Sequence, residues 1–148
     1  MNPIVLIPAR MAAARLPGKP LADIGGKPMI VRAYEQAAQS GLPVCVAAGD
    51  AEIVEAVQDA GGKAILTDPA LPSGSDRIRA ALELLDPEGR HDAVINLQGD
   101  MPFAHPGLAT ACAALLHGEP ACDIATLVAP ELSPEDRALA AAQKTCPV

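Results

Sequence analysis

The sequence predicts an α/β protein built on a mostly parallel sheet. Continuous aliphatic runs rich in β-branched residues recur along the chain, as in Ile4-Val5-Leu6-Ile7 and Ala93-Val94-Ile95, and such runs suit strands buried on both faces. Between them, apolar residues return every three or four positions, the period of an amphipathic helix. The resulting alternation of strand and helix requires crossover connections, which are right-handed in parallel sheets.

Each element can be justified in turn. Residues 4–7 form the first strand, ended by Pro8. From Pro28 onward, Met29, Ile30, Ala33, Tyr34 and Ala37 share one helical face, with proline at the first turn and Gly41 at the end. Residues 44–48 read as a second buried strand. Asp50 then serves as a helix N-cap, and Ile53, Val54, Val57 and Ala60 make the apolar stripe of a helix closed by Gly61-Gly62. Residues 64–66 form a short strand, a loop with Pro69 and Pro72 follows, and Ile78, Ala81, Leu82 and Leu85 mark the next helix. Residues 93–97 are the fourth strand, and Leu108, Ala111, Cys112, Leu115 and Leu116 mark another helix. Residues 124–128 read as a fifth strand. Ser133 caps and Pro134 opens a short last helix, after which Lys144-Thr145-Cys146-Pro147-Val148 supplies no final element. The fold is therefore expected to be incomplete at its C-terminus.

The 148 residues suit one domain, and a chain that is 50% hydrophobic and 20% charged is not disordered. No run approaches the length of a membrane span, and residues 1–9 lack the cationic start of a secretory signal, so a cytoplasmic location is expected. Cys45, Cys112, Cys122 and Cys146 match neither a disulfide framework nor paired zinc-ligand spacing, and read as reduced, mostly buried small hydrophobes. His91, His105 and His117 form no ligand pattern. The net charge of −7, with one Tyr and one Phe as the only aromatics, argues against nucleic-acid binding. Yet residues 1–32 hold Arg10, Arg15, Lys19, Lys27 and Arg32 against Asp23 alone. Local positive charge in an acidic chain suits a small polyanion such as a nucleoside triphosphate.

Ligands of open parallel sheets bind beyond the carboxyl ends of the strands, and three such loops stand out. The first carries Arg10, Arg15 and Lys19 among small residues and Gly18, which suits phosphate contact by side chains and backbone N–H groups, or else a solvated basic loop. After the third strand, Ser73 and Asp76 have capping-box spacing, and Gly74 and Arg77 add room and charge for an anion or a polar base edge. After the fourth, Gln98-Gly99-Asp100 places a carboxylate beside a glycine that lets the chain turn sharply. That carboxylate could hold Mg²⁺ or serve local hydrogen bonding.

Taken together, Ile7-Pro8-Ala9-Arg10, Arg15-Leu16-Pro17-Gly18-Lys19-Pro20-Leu21, Gly26-Lys27-Pro28-Met29-Ile30, Ser73-Gly74 with Arg77, and Gln98-Gly99-Asp100 resemble the 3-deoxy-manno-octulosonate (Kdo) cytidylyltransferases, the CMP-Kdo synthetases, from residue 3 to about residue 130. The resemblance implies a Rossmann-like nucleotidyltransferase fold that joins CTP and Kdo into CMP-Kdo and pyrophosphate for lipopolysaccharide synthesis. The family's 8-amino-Kdo variants would read similarly over this stretch. By position, Arg10, Arg15 and Lys19 would hold the triphosphate and, with Asp100, carry the catalysis. Ser73, Gly74, Arg77 and Gln98 would surround the cytidine, and Asp100 would ligate Mg²⁺. Met101 stands where the family commonly has Glu, and Ala13-Ala14 where it often has a hydroxyl residue. After about residue 138 the family's Asn-Pro-x-x-Val-Lys pattern is lost. Members are longer, and the resemblance implies that their C-terminal half supplies most of the Kdo pocket, a second metal-binding Asp and most of the homodimer contact. The expectation is a single nucleotidyltransferase-like domain over 1–148 that carries the CTP-binding part, the alternative being a truncated, inactive nucleotide-binding fragment.

Overall fold

A computed structural model of the chain describes residues 1–12, 16–119 and 121–127. Four strands, β1 (Pro3–Ala9), β2 (Val44–Ala48), β3 (Ala64–Leu66) and β4 (Ala93–Asn96), form one sheet in the order β3-β2-β1-β4. All three pairings are parallel: Val5 lies opposite Val44, Val46 opposite Ala64, and Pro3 opposite Ala93. The helices are α1 (Met29–Ala38), α2 (Ala51–Asp59), α3 (Gly74–Leu85) and α4 (Gly107–Gly118), with a 3₁₀ turn at Lys19–Leu21. These elements match the first four predicted strands and the four helices between and after them.

Alternation along β1 divides the core. Val5, Ile7 and Ala9 face a cluster with Ile30, Val31, Ile53, Val57 and Ala109, whereas Ile4 and Leu6 face Cys45 and Ile78 with Leu82 and Leu85 alongside. Helices α1 and α2 therefore cover one face and α3 the other, as side chains of period two in a strand demand. Pro28 occupies the N-cap position of α1, where its missing N–H costs nothing.

The fifth strand is not observed. Residues 124–127 have no ladder partner; they line an apolar groove of about 770 Å³ with β4 and α4, and Ile124 is 86% exposed. An aliphatic run becomes a strand only where a neighbour takes up its N–H and C=O groups, and among the described residues nothing pairs with the outer side of β4. Val128 and the predicted helix from Ser133 lie outside the described residues. The thiols also differ from expectation: Cys45 is buried, Cys112 half-buried and Cys122 exposed, while Cys146 lies outside the described part. Burial raises the Cys45 pKa to about 11, which keeps it protonated and inert.

At the end of α3, the buried Asp86 carboxylate accepts the His91 N–H at 2.6 Å, and Arg90 Nε lies 3.5 Å from its other oxygen. The backbone N–H groups of Arg90 and His91 hold this carboxyl below the usual carboxylate range. A depressed folded-state pKa contributes stability above the ordinary carboxylate value of about 4, and that contribution disappears as pH falls through the folded value. Asp86→Asn should therefore flatten the acid side of the stability curve below about pH 4, measured by urea unfolding across pH. Leu6 has no exposed surface. Leu6→Ala should cost about 2–5 kcal/mol, measured by the same unfolding at neutral pH.

Candidate functional site

Parallel pairing delivers the carboxyl ends of all four strands to one edge of the sheet, and the predicted site residues that the structure describes gather there. A cavity of about 200 Å³ is lined by Pro8, Ala9 and Arg10 from the exit of β1, Leu71, Ser73, Gly74 and Arg77 from the approach to α3, and Gln98 from the exit of β4. Five residues singled out in the sequence thus share one cavity: Arg10, Ser73, Gly74, Arg77 and Gln98.

Ser73 caps α3 as its spacing predicts. Its Oγ accepts the Asp76 N–H at 3.1 Å and donates to the Asp76 carboxylate at 2.5 Å. Gln98 is exposed, and its Nε2 donates to Asn96 Oδ1 at 3.0 Å. Gly99 serves a different purpose from the sharp turn expected of it. Its φ is not in the left-handed region, but a Cβ there would lie 3.1 Å from the Pro8 carbonyl oxygen and 3.2 Å from Ile30. A side chain there would crowd the exit of β4 where it runs close over the end of β1.

Lys19 and Asp100 also meet, although they stand outside the cavity lining. Lys19 Nζ donates to Asp100 Oδ2 at 2.9 Å, with the side chains 39% and 52% exposed, so the first and fourth strand-exit loops are joined by a solvated ion pair. Such a pair contributes little to stability, and its two charges can readily take other partners. Arg15 lies outside the described residues. Among the described residues no group of three or more His, Cys, Asp or Glu is placed to hold a metal. Asp100 supplies a single exposed carboxylate whose Oδ1 has no hydrogen-bond partner among these residues. That donor set fits a hard cation that takes its remaining oxygens from a bound phosphate.

Arg77 is the unexpected member. Its spacing suggested a charged donor near a helix start, yet it is only 2% exposed. Nη1 donates to Thr67 Oγ1 at 2.6 Å and to the Asp68 carbonyl at 3.1 Å, while the buried Nη2 has no partner among the described residues. Burial and the nearby Arg10 charge lower its pKa from the usual arginine range; Asp50 and Asp68 oppose the shift. Thr67 in turn donates to the Ala48 carbonyl at 2.8 Å. The guanidinium lies against Gly49, where a Cβ would sit 2.8 Å from Nη1 and 2.9 Å from Cζ.

Gly49, Asp50, Thr67 and Asp68 were not anticipated as site residues. Asp50 does occupy the N-cap position of α2, but its side chain does not cap the helix; Oδ2 accepts the Met11 N–H at 2.7 Å instead. The rule that ligands bind at strand exits could have drawn attention to Gly49-Asp50, because the pair directly follows β2. Thr67, at the end of the short third strand, carried no comparable sequence signal.

Cations and a helix start at the carboxyl edge of a parallel sheet are the arrangement at which open α/β folds take up anionic ligands. Residues 4–142 match the cytidylyltransferase family, and the chain belongs to that family. It is 52% identical over 138 residues to the 3-deoxy-manno-octulosonate cytidylyltransferase of Paramagnetospirillum magneticum, covering 93% of this chain and 56% of that one. It is 53% identical over 136 residues to the enzyme of the same name from Rhodospirillum rubrum, covering 91% and 54%. The chain thus spans about half the length of the curated relatives it matches. A solved structure of CMP:2-keto-3-deoxy-manno-octonic acid synthetase complexed with CTP superimposes with a TM-score of 0.72 at 42% identity, over 82% of this chain and 49% of that chain. A cytidylyltransferase from Leptospira borgpetersenii, 21% identical with a TM-score of 0.68, shares the fold.

The contact between Gly49 and Arg77 gives a direct test. Gly49→Ala should destabilise the chain by about 1–3 kcal/mol through overpacking against the guanidinium. In an Arg77→Ala background the same substitution should cost much less, a coupling that a double-mutant unfolding cycle measures.

Proposed function

We propose that this chain binds CTP for transfer of its cytidylyl group to 3-deoxy-D-manno-octulosonate, giving CMP-Kdo and pyrophosphate. The observation that carries this reading is the cavity where Arg10, Ser73, Gly74, Arg77 and Gln98 meet, with the buried Nη2 of Arg77 lacking a partner among the described residues. Relatives named for this reaction match more than nine-tenths of the chain, which supports the choice of substrates. Residues 1–148 are read as one nucleotidyltransferase-like unit carrying the CTP-binding part of such an enzyme.

In this reading the base enters the cavity at the start of α3, bordered by Ser73, Gly74, Arg77 and Gln98. The triphosphate runs toward Arg10, Arg15 and Lys19, whose charges neutralise phosphate oxygens. Attack by the sugar's anomeric hydroxyl on the α-phosphorus, with pyrophosphate leaving in line, needs placement and charge neutralisation rather than a protein nucleophile. Arg10, Arg15 and Lys19 supply the neutralising charge, and the protonated Cys45 buried under α3 takes no part. Asp100 would hold Mg²⁺, which supplies electrostatic stabilisation of phosphate charge when bound. Lys19 would then exchange its carboxylate partner for phosphate.

Thermal unfolding with CTP, ATP and CMP tests the reading. A ligand at about 100 times its dissociation constant stabilises by about 2.7 kcal/mol, so CTP should raise the midpoint well above ATP. Lys19→Ala should weaken CTP binding more than CMP binding, and Asp100→Asn should abolish the Mg²⁺-dependent part of CTP binding. Equal shifts for CTP and ATP would remove the cytidine assignment, and unchanged Mg²⁺ dependence in Asp100→Asn would remove the metal role.

A further inference from the structure

Two bonds from the exit of β2 bracket Arg10. The Gly49 N–H donates to the Ala9 carbonyl at 2.8 Å on one side, and the Met11 N–H donates to Asp50 Oδ2 at 2.7 Å on the other. The second bond is not what the local sequence favours. Asp50 has the extended backbone of an N-cap, φ −139° and ψ 142°, from which a carboxylate normally accepts an N–H of the helix it opens. Here it reaches across 39 residues to another strand exit.

The position also matters electrostatically. Arg10 and Arg77 both line the cavity and repel each other, while Asp50 and Asp68 offset the buried Arg77 charge. Asp50 thus fixes the backbone beside one cation and partly neutralises the other. It does not line the cavity, so any influence on a ligand passes through those neighbours.

We propose that Asp50 is a positioning residue for triphosphate binding: its carboxylate holds the N–H of Met11 and so fixes Arg10 at the start of the phosphate loop. This rests on the CTP reading above. The helix-capping role that Asp50 forgoes supplies a discriminating variant. Serine is a good N-cap, so Asp50→Ser can serve α2 as well as aspartate or better, but its hydroxyl is one bond shorter and should not span to Met11. Asp50→Asn keeps an acceptor oxygen at the original reach.

Calorimetric titration of the 148-residue chain with CTP and with cytidine, beside amide hydrogen exchange, tests the proposal. Asp50→Ser should unfold cooperatively, exchange the Met11 amide faster, and lose about tenfold in CTP affinity, the effect of one lost hydrogen bond. Its cytidine affinity should stay within about twofold of the parent, and Asp50→Asn should hold CTP within about threefold. CTP affinity in Asp50→Ser equal to the parent's overturns the proposal. So does a parallel loss for CTP and cytidine, or failure of Asp50→Asn to recover binding, since either marks a general structural role. A parent chain that binds no CTP overturns the proposed function, and the positioning role falls with it.

Discussion

The central placement of β1 is the constraint on which the site depends. Flanked by β2 and β4 in parallel register, β1 ends beside Ala48 on one side and has Leu6 opposite Asn96 on the other. Because parallel strands finish at the same edge, Arg10, Gly49 and Gln98 emerge as neighbours although they are far apart in sequence. A shift of one residue in either pairing would turn the core-facing side chains of a strand to the opposite face. Burial of Val5, Leu6 and Ile7 on both sides of the sheet therefore holds the site together as firmly as any contact within it.

The cations at this edge are held in two different ways. Lys19 stands in solvent against Asp100, and its charge can move to a new partner at little cost. Arg77 is sealed in by Thr67, the Asp68 carbonyl and the flat approach of Gly49, and cannot reorganise without disturbing the exits of two strands. A buried, already oriented donor spends little on ordering when a ligand arrives. Its desolvation is only partly offset by Asp50, Asp68 and the two hydrogen bonds of Nη1, and Nη2 has no partner among the described residues.

The parts of the fold that were legible in the sequence are those with local causes. Aliphatic runs such as Ile4–Ile7 and the stripes of α1 and α3 read correctly because burial on a sheet imposes their periods. The stripe expected of α4 did not: Ala109 is its one buried residue, and Ala111 and Leu115 are exposed. The Ser73-to-Asp76 spacing revealed its cap because both groups lie within one turn. Residues 124–127 misled because their composition suits a strand while pairing depends on a partner that composition does not reveal. Asp50 misled for the opposite reason: its local role was plausible, but a long-range bond to Met11 won. The position of Gly99 was recognised and its purpose was not, since close approach to Pro8 exists only after β1 and β4 are side by side. Gly49 carried only the signal of its place at a strand exit and Thr67 carried none, because what ties both to the site is their contact with the Arg77 guanidinium.

The same topology shapes the order in which the chain can assemble. Val5 finds Val44 after about forty residues, but the partner of Pro3 is Ala93, and the bond from the Asn2 N–H to Asp92 closes a separation of 90. During synthesis β1 is made before the other three strands described, yet one of its edges stays open until β4 has been added. Long-range parallel pairings of this kind slow folding, because the entropy of closing a large loop is lost before its contacts form. Over that interval the most aliphatic strand offers an unpaired edge to other chains, so the growing polypeptide is most prone to aggregate before residues 93–96 emerge.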